Sequence, residues 1–440
     1  MSLPRYRDYR STGDSMIPVL PAEWSVSPLR NLGRFLKGRG GSKQDASESG
    51  IPCIRYGELY TTFSHSIKAP RGFVPIELAS EYEPISKGDV LFAASGEDMA
   101  DIGRSAVNLL DGPTVCGGDL VILRPTADVL PEFLGFACDS SNAKAQKAMM
   151  GRGTTVKHIY PDELRQVVIA LPPRNQQEGV VRFLEKETAK IDALIAEQER
   201  LIALLQEKRQ AVISHAVTKG LDPNVPMKDS GVEWIGDVPA HWEVRPLKHL
   251  TSFTTGWTPP TGREEYYGGE HFWANISDLG PKHLHSTEKT VTDVAVREAR
   301  LKVVPRGSLL FSFKLSVGQV SLTAAEMYTN EAIAAFVPSK RMDTHYLYWA
   351  APLLLPKNAQ ENIYGAPLLS RERIANAPVL YLPLEEQYSI ASFLDRETAI
   401  VDALIADAAS VIALLQERRT ALITAAVTGQ IDVRGLVEAA

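Results

Sequence analysis

The chain has few of the residues that mark disulfide frameworks, metal centres or membrane spans. Its 440 residues include only three cysteines, Cys53, Cys116 and Cys138, whose spacing fits neither a metal-ligand set nor an even disulfide framework. This usage is typical of a reducing compartment. No run approaches the ~20 uncharged apolar residues of a membrane span, and the first 25 residues lack the apolar core of a signal peptide. We therefore expect a cytoplasmic protein without membrane contact.

Motifs that carry catalysis are also missing. An adenine methyltransferase would show an (N/D)PP(Y/F) loop, but Asp222-Pro223 is followed by Asn224. The segment GRGGSK (38–43) lacks the Gly-Lys-Ser/Thr ending of a nucleotide-binding loop. The histidines at 271, 283 and 285 have no accompanying ligand set. The sequence thus indicates no catalytic residue, no cofactor and no metal site, and it favours a binding protein over an enzyme.

The net charge of −6 argues at first against a nucleic-acid partner. Counted by segment, however, residues 1–174 contain 20 basic and 20 acidic side chains, and residues 223–382 contain 16 of each. Residues 383–440 contain 4 basic and 9 acidic side chains and so carry nearly all of the surplus. Because each neutral segment has room for a basic face, the overall charge does not exclude nucleic acid.

An internal repeat organises the chain. Residues 181–222 align without gaps to 391–432, with 23 of 42 positions identical. A weaker match pairs residues 10–30 with 228–248, with 8 of 21 identical. The order is therefore arm, globule, long helix, arm, globule, long helix, and it predicts a pseudo-twofold arrangement. The interiors of the two globules do not resemble each other.

The repeated segments have the signals of long helices. Pro172-Pro173 blocks a helix upstream, and Asn175 with Glu178 predicts an N-cap with a capping-box acid. Gly220 and Pro223 predict the end of the helix. Each helix of roughly 40 residues would be about 60 Å long. Its apolar stripe fits either packing in a globular core or pairing of the two helices as a rigid spacer.

The two globular segments are rich in predicted strands. Short apolar or alternating runs at 167–172, 308–315 and 332–338 lie between glycines and prolines. Residues 131–139 and 344–355 have the pattern of short helices. Each globule is therefore expected to be an α+β domain with many loops.

Several motifs together resemble the specificity (S) subunit of type I restriction–modification systems. The arm DVPAHWEVRPLKHL (237–250) has a weaker partner, LPAEWSVSPLRNL (20–32). The other matching motifs are GWTPPTGREEYYGGEHFWANISDL (256–279), IALPPRNQQEGVVRFLEKETAKIDALI (169–195) and LPLEEQYSIASFLDRETAIVDALI (382–405). The resemblance covers essentially the whole chain.

Two segments depart from the pattern. The first arm has GDSMIP (13–18) where the second has GVEWIG (231–236), and Gln176-Gln177 stands where the second copy has Glu386-Gln387. These departures bear on the surface where the first copy would bind a partner.

The resemblance implies two α+β target-recognition domains, each reading half of a split, asymmetric DNA sequence. The two helices would form an antiparallel coiled coil that spaces the domains and docks the methyltransferase (M) subunits. The expected boundaries are 1–174 and 223–382 for the recognition domains, 175–222 for the central helix, and 383–440 for the second helix and tail. Expected partners are double-stranded DNA, two M subunits and, in the full complex, restriction (R) subunits. Methylation and cleavage would be done by those partners.

Within this coiled coil, a heptad frame predicts which apolar residues pair. The expected seam consists of Ile191, Leu194, Leu201 and Leu205 on the first helix and Val401, Leu404, Val411 and Leu415 on the second. Two other functions remain open at this point: a coiled-coil scaffold or adaptor that does not read DNA, and an autonomous modification enzyme.

Base edges are read by Arg, Lys, Asn, Gln, Ser and Thr side chains, and such residues cluster in glycine-bearing loops of both globules. The candidates in the first globule are Lys37, Arg39, Ser42, Lys43, Gln44, Arg152, Thr154 and Lys157. The candidates in the second are Thr255, Trp257, Thr258, Asn275, Ser277, Lys314 and Gln319. Trp257 fits equally well as a residue packed under the domain.

Overall fold

The computed structural model describes residues 3–41, 43–260, 262–361 and 367–436. The chain divides into two compact units, which are described one at a time. Unit 1 consists of residues 1–199 and 409–440, and unit 2 consists of residues 200–408.

Unit 1 contains a mixture of short strands and helices. Its strands are β1 (Tyr9–Ser11), β2 (Val19–Pro21), β3 (Ser25–Pro28), β4 (Gly33–Lys37), β5 (Ile51–Ile54), β6 (Ser66–Ile67), β7 (Phe73–Val74), β8 (Glu83–Ile85), β9 (Val90–Ala93), β10 (Ser95–Gly96), β11 (Ser105–Asn108), β12 (Thr114–Cys116), β13 (Leu120–Pro125), β14 (Lys157–His158) and β15 (Val168–Leu171). Its helices are α1 (Tyr56–Thr61), α2 (Pro131–Cys138), α3 (Ser141–Met150), α4 (Pro161–Leu164), the first part of α5 (Arg174–Lys219) and the last part of α9 (Leu384–Val427).

A five-stranded sheet in the order β4-β13-β9-β11-β6 forms the centre of unit 1. Its neighbouring strands are antiparallel, except that the edge strand β6 runs parallel to β11. Along β13, Val121 and Leu123 belong to one apolar core, and Leu120 and Ile122 belong to another. Because successive side chains point to opposite faces of a strand, both faces of this sheet are buried. A second sheet has the order β7-β5-β12-β8.

Unit 2 has a similar mixture of elements. Its strands are β16 (Met227–Asp229), β17 (Asp237–Pro239), β18 (Glu243–Pro246), β19 (Phe253–Thr255), β20 (Tyr267–Ala274), β21 (His283–Leu284), β22 (Thr290–Val291), β23 (Leu309–Ser312), β24 (Val320–Thr323), β25 (Tyr328–Thr329), β26 (Ile333–Phe336), β27 (Gln360–Glu361), β28 (Pro367–Leu368) and β29 (Pro378–Tyr381). Its helices are the second part of α5, α6 (Asp293–Glu298), α7 (Thr344–Leu354), α8 (Arg371–Asn376) and the first part of α9 (Leu384–Val427).

The main sheet of unit 2 repeats the topology of unit 1. Its order is β19-β26-β23-β24-β21, and its edge strand β21 again runs parallel to its neighbour β24. Leu309 and Phe311 in β23 face one core, whereas Leu310 faces another. The two globules therefore share a buried five-stranded framework, although their sequences differ between the arms and the long helices.

The long helices pair antiparallel. In unit 1, Leu184 of α5 and Val427 of α9 lie in one apolar core, and in unit 2 Val217 of α5 and Leu394 of α9 do so. Later residues of one helix thus meet earlier residues of the other in both units. The fold is α+β with two globular segments and two long, paired helices.

The predicted ends of the helices need one correction. Helix α5 stops at Lys219, just before Gly220, whose φ of 77° is the left-handed conformation that favours glycine at a helix end. Asn175, however, is not the N-cap, since α5 already includes Arg174. The carbonyl of Pro173 accepts the amide of Gln177, so the helical hydrogen bonds begin earlier than predicted.

The predicted seam between the helices is partly wrong. Ile191, Leu205 and Val401 are buried and Leu415 is partly buried, as the heptad frame requires. Four predicted residues instead face solvent: Leu194 (46% exposed), Leu201 (42%), Leu404 (48%) and Val411 (40%). The residue that directly follows each of these four is an isoleucine that is partly buried instead: Ile195, Ile202, Ile405 and Ile412. The seam keeps heptad spacing, but its second position lies one residue later than predicted.

Among the helices that the structure describes, α9 alone is long and apolar enough to cross a membrane by length and composition, with a mean hydropathy of 2.0 in its most apolar window. Within unit 2, however, Asp402 of α9 is ion-paired with Arg209 of α5, and Val401 is buried. These contacts are those of a helix paired along a seam, and 17% of the apolar window is buried.

Candidate nucleic-acid interface

The two candidate segments of the first globule lie at the same end of the unit 1 sheet. The Gly118 amide donates to Gly40 O over 2.7 Å, and the Ala94 amide donates to Asp119 O over 2.9 Å. The Ile159 amide in turn donates to Ala94 O over 2.9 Å. Backbone hydrogen bonds thus connect the loop after β4 with the segment around β14, where β13 begins and β9 ends.

Glycine is required where these turns approach each other. A Cβ atom at Gly38 would lie 2.0 Å from the carbonyl oxygen of Gly117, which no side chain tolerates. Gly40 has a φ of 77°, a conformation that glycine adopts without cost. A cavity of about 400 Å³ opens beside these turns, and Tyr56, Thr61 and Asp119 contribute to its lining.

The candidate cations of unit 1 differ in how firmly they are held. Lys37 is exposed at the end of β4. The Arg39 Nη2 donates to Tyr82 O over 3.1 Å, and its Nε lies 3.6 Å from a Glu83 carboxylate oxygen. Arg152 is ion-paired with Glu163 at 2.8 Å, yet its side chain remains 74% exposed. The head groups of all three stay accessible from solvent.

The remaining candidates of unit 1 lie in the same two segments. Lys157 is half-buried, and its ammonium donates to the carbonyls of Gly153 (3.1 Å) and Thr154. Thr154 and Gln44 are exposed. Lys43 lies in the 3-10 turn Lys43–Asp45, but its side chain and the whole of Ser42 lie outside the described residues.

In unit 2, the candidate loops also meet at one end of the main sheet. The Gly256 amide donates to Asn330 O over 3.2 Å, and the Asn330 amide donates to Ala274 O over 3.0 Å. The Phe313 amide donates to Ala332 O over 3.0 Å. The loops that follow β19, β20 and β23 therefore come together at the end equivalent to that in unit 1, where β19 and β23 end and β26 begins.

Several candidates of unit 2 have local structural roles. Asn275 Oδ1 accepts the amide and the hydroxyl of Ser277 (2.7 and 2.6 Å) and so caps a short 3-10 turn. Trp257 packs edge-on against Tyr266, with ring centroids 6.2 Å apart, in an apolar cluster. Thr255 is half-buried in β19. These contacts favour packing for Trp257 and positioning for Asn275.

The turn between β23 and β24 carries several exposed residues at this end of the sheet. Lys314 and Gln319 are both exposed there. Sequence reasoning missed Leu315, which is 68% exposed, and Ser316, whose φ of 44° is rare for a residue with a side chain. Backbone strain of this kind is often found at functional sites. The sequence did offer a signal for Leu315, which is an apolar residue next to Lys314 at the end of a predicted strand.

Glu331 was also missed. Its carboxylate accepts the hydroxyl of Thr258, one of the candidates. Burial works to raise the pKa of Glu331, but the hydrogen bond from Thr258 and the nearby charge of Lys314 hold that pKa below its usual value. An ionised carboxylate at this position is an acceptor of the kind that reads the amino group of cytosine.

No group of three or more His, Cys, Asp or Glu side chains suited to a metal ion occurs in the described ranges.

Comparison with known proteins decides the family. The profile of the type I restriction modification DNA specificity domain matches residues 21–203 and 239–408. The chain belongs to this family.

Individual relatives agree with this assignment. The EcoKI specificity subunit of Escherichia coli (strain K12) is 21% identical over 95% of this chain and 91% of its own length. The MjaIX specificity subunit of Methanocaldococcus jannaschii is 27% identical, but that match covers 36% of this chain and 38% of the relative. A solved chain from work on complex assembly and conformational transition of the type I R-M system has a TM-score of 0.73 at 19% identity, and the match covers 93% of this chain and 98% of that one. The family, with its role in DNA specificity, is therefore shown, and the solved chain supports the fold.

Proposed function

We propose that this specificity subunit reads a bipartite, asymmetric DNA target, one half-site with each globular segment. The recognition domains would comprise residues 1–174 and 223–382. The observation that carries the proposal is that the candidate loops of each unit gather at the equivalent end of the same five-stranded framework. Because the framework is shared and the loops differ, the two half-sites are expected to differ in sequence.

Within each domain, cations and neutral polar side chains would have separate roles. Lys37, Arg152 and Lys314 carry exposed charges suited to phosphates, which position the protein without reading sequence. Gln44, Thr154 and Gln319 are exposed side chains of the kind that hydrogen-bond to base edges.

The M subunits would dock on the long helices, and methylation and cleavage would be done by the M and R partners. Support comes from large apolar residues that the helices leave exposed in each unit. Unit 1 exposes Leu194, Val411 and Leu414, and unit 2 exposes Leu201, Leu204, Ile400 and Leu404. Since the equivalent residues 194 and 404, 201 and 411, and 204 and 414 are apolar in both copies, two M subunits would bind in equivalent ways.

A domain exchange tests the proposed function. Residues 31–170 would be replaced by the corresponding segment of another family member, and the chimera co-expressed with the M subunit. Single-molecule sequencing of methylated bases in the host genome should show one half-site changed and the other retained. A chimera that still methylates the parental target would exclude the modular reading, and a parent complex without sequence preference would favour a scaffold that does not read DNA.

A further inference from the structure

In unit 2, one lysine connects the main sheet to the long helix α9. Lys282 directly precedes the edge strand β21, and its ammonium is ion-paired with Asp395 of α9. The Trp349 indole of α7 donates to the same carboxylate over 3.0 Å. The Lys282 ammonium also lies 5.5 and 5.7 Å from the ring centroids of Tyr348 and Trp349, within the range of cation–π attraction. We call Lys282, Trp349 and Asp395 the unit 2 joint.

Unit 1 has a corresponding contact made by other residues. Lys68 directly follows the edge strand β6, and its ammonium lies 2.8 Å from a Glu185 carboxylate oxygen on α5. Glu185 and Asp395 occupy the same position of the 42-residue helical repeat. Beside this contact, His65 stacks on Phe136 with ring centroids 3.8 Å apart. The sheet edge and the long helix are thus joined by a lysine–carboxylate pair in both units.

The unit 2 joint lies one strand away from the exposed turn of the candidate interface. The Leu322 amide of β24 donates to Lys282 O over 2.8 Å. β24 begins at Val320, immediately after Gln319. A movement of Lys282 relative to Asp395 would therefore tilt β24 and the turn that carries Lys314 and Gln319.

We infer that Lys282 is a positioning residue, and that its pairing with Asp395 holds the second recognition domain at one orientation on its long helix and so limits the spacer length that the protein accepts. The inference rests on the proposed bipartite reading. A lysine in this role touches no base, so its loss leaves the half-site sequences unchanged. What changes is the tolerance for half-sites that are one base pair closer together or farther apart.

The test uses the full chain co-expressed with its M subunit, and measures methylation of targets whose spacer is native, one base pair shorter or one longer. Lys282→Met should raise the rate on the altered spacers, relative to the native spacer, about five- to tenfold, the scale of one partly exposed ion pair with an aromatic contact. Lys302→Met, at an exposed lysine of the same unit, is the matched control and should leave the spacer profile unchanged.

A charge-conserving variant distinguishes the ion pair from a general sensitivity of this position. Lys282→Arg keeps a cation opposite Asp395 and should retain the parental spacer profile, whereas Lys282→Met should broaden it. If Lys282→Met methylates with the parental profile, or if Lys282→Arg broadens it as much as Lys282→Met does, the inference is wrong while the proposed function stands. If the parent target is not bipartite, the proposed function fails and the inference fails with it.

Discussion

Arg209 of α5 donates from Nε to Asp402 of α9 over 2.9 Å, and the equivalent pair, Arg419 with Asp192, spans 2.8 Å in unit 1. Each pair joins the two long helices, and the chain order is reversed between the two pairs, as an antiparallel arrangement requires. The Arg209 and Asp402 side chains are 34% and 54% exposed, so water screens the pair. Arg209→Ala should therefore lower the free energy of unfolding by only about 0.5 kcal/mol. Urea unfolding at low and high salt would measure this, and an effect that does not shrink with salt would contradict it.

The corrected seam predicts that substitutions at Ile191 and Leu194 change the free energy of unfolding by very different amounts. Ile191→Ala removes a buried side chain and should lower the free energy of unfolding by about 2–4 kcal/mol. Leu194→Ala removes an exposed one and should change it by less than about 0.5 kcal/mol. Leu194→Ala should instead weaken M-subunit binding, measured by titration calorimetry of the two purified proteins. Equal effects on unfolding would show that the seam is misassigned, and unchanged binding would count against docking at this surface.

Two exposed residues in the turn between β23 and β24, Lys314 and Gln319, are predicted to contact DNA in different ways. Lys314→Ala should weaken DNA binding about equally for all second half-sites and reduce the salt slope by about 1, because a phosphate contact is lost. Gln319→Ala should cost about 1–3 kcal/mol on the cognate half-site and relax the preference at one base position. DNA-binding titrations at several salt concentrations would measure the effect of Lys314→Ala, and methylation of a library with a randomised second half-site would show whether either variant changes the base preference. If Lys314→Ala changed the preference at one base position, Lys314 would be a base-reading residue. If Gln319→Ala weakened all half-sites equally, Gln319 would be a phosphate contact.

A buried lysine in unit 1 predicts a pH dependence. Lys147 is 0% exposed and donates to the carbonyls of Gly103 and Cys138. Burial lowers the pKa of Lys147 to about 8 from a usual value of 10.5. Between those two values the unfolded chain binds a proton that the folded chain does not, so this residue makes stability rise with pH.

The expected size of that rise is about 3 kcal/mol between pH 8 and pH 10.5, from the shift of the pKa. Tyrosines also titrate in this range, so the quantity to measure is the difference in the slope of unfolding free energy against pH between parent and variant. Lys147→Met should remove the rise, whereas Lys186→Met, at an exposed lysine, should retain it. An identical slope in Lys147→Met would mean that Lys147 stays charged in the folded protein.

Sequence patterns predicted the long helices, because proline, glycine and a sustained heptad spacing are strong local signals. They also located the core strands: residues 308–315 contain β23 (Leu309–Ser312), and residues 332–338 contain β26 (Ile333–Phe336). The seam was misplaced because Leu194 and Ile195 are both apolar, and composition alone does not tell which one faces the partner helix.

The shared sheet topology could not be read from the sequence. Its edge strands β6 and β21 have two residues each, too few for any periodicity to appear. The unit 2 joint could not be predicted from the sequence either. Lys282 and Asp395 are 113 residues apart, and only the folded chain brings them together. Glu331 was missed because a polar residue in a loop has no distinctive spacing.

The loop after β4 is held by main-chain hydrogen bonds, by glycines and by the contacts of the Arg39 side chain with Tyr82 and Glu83. Gly38 and Gly118 donate from their amides to Leu120 O and Gly40 O, and the close approach at Gly117 needs only the absence of a Cβ atom. None of these main-chain hydrogen bonds involves the exposed side chain of Lys37. Under the proposed function, exposed residues of such a loop would give the protein room to acquire new preferences by point mutation, since a change there needs no compensating change in the core.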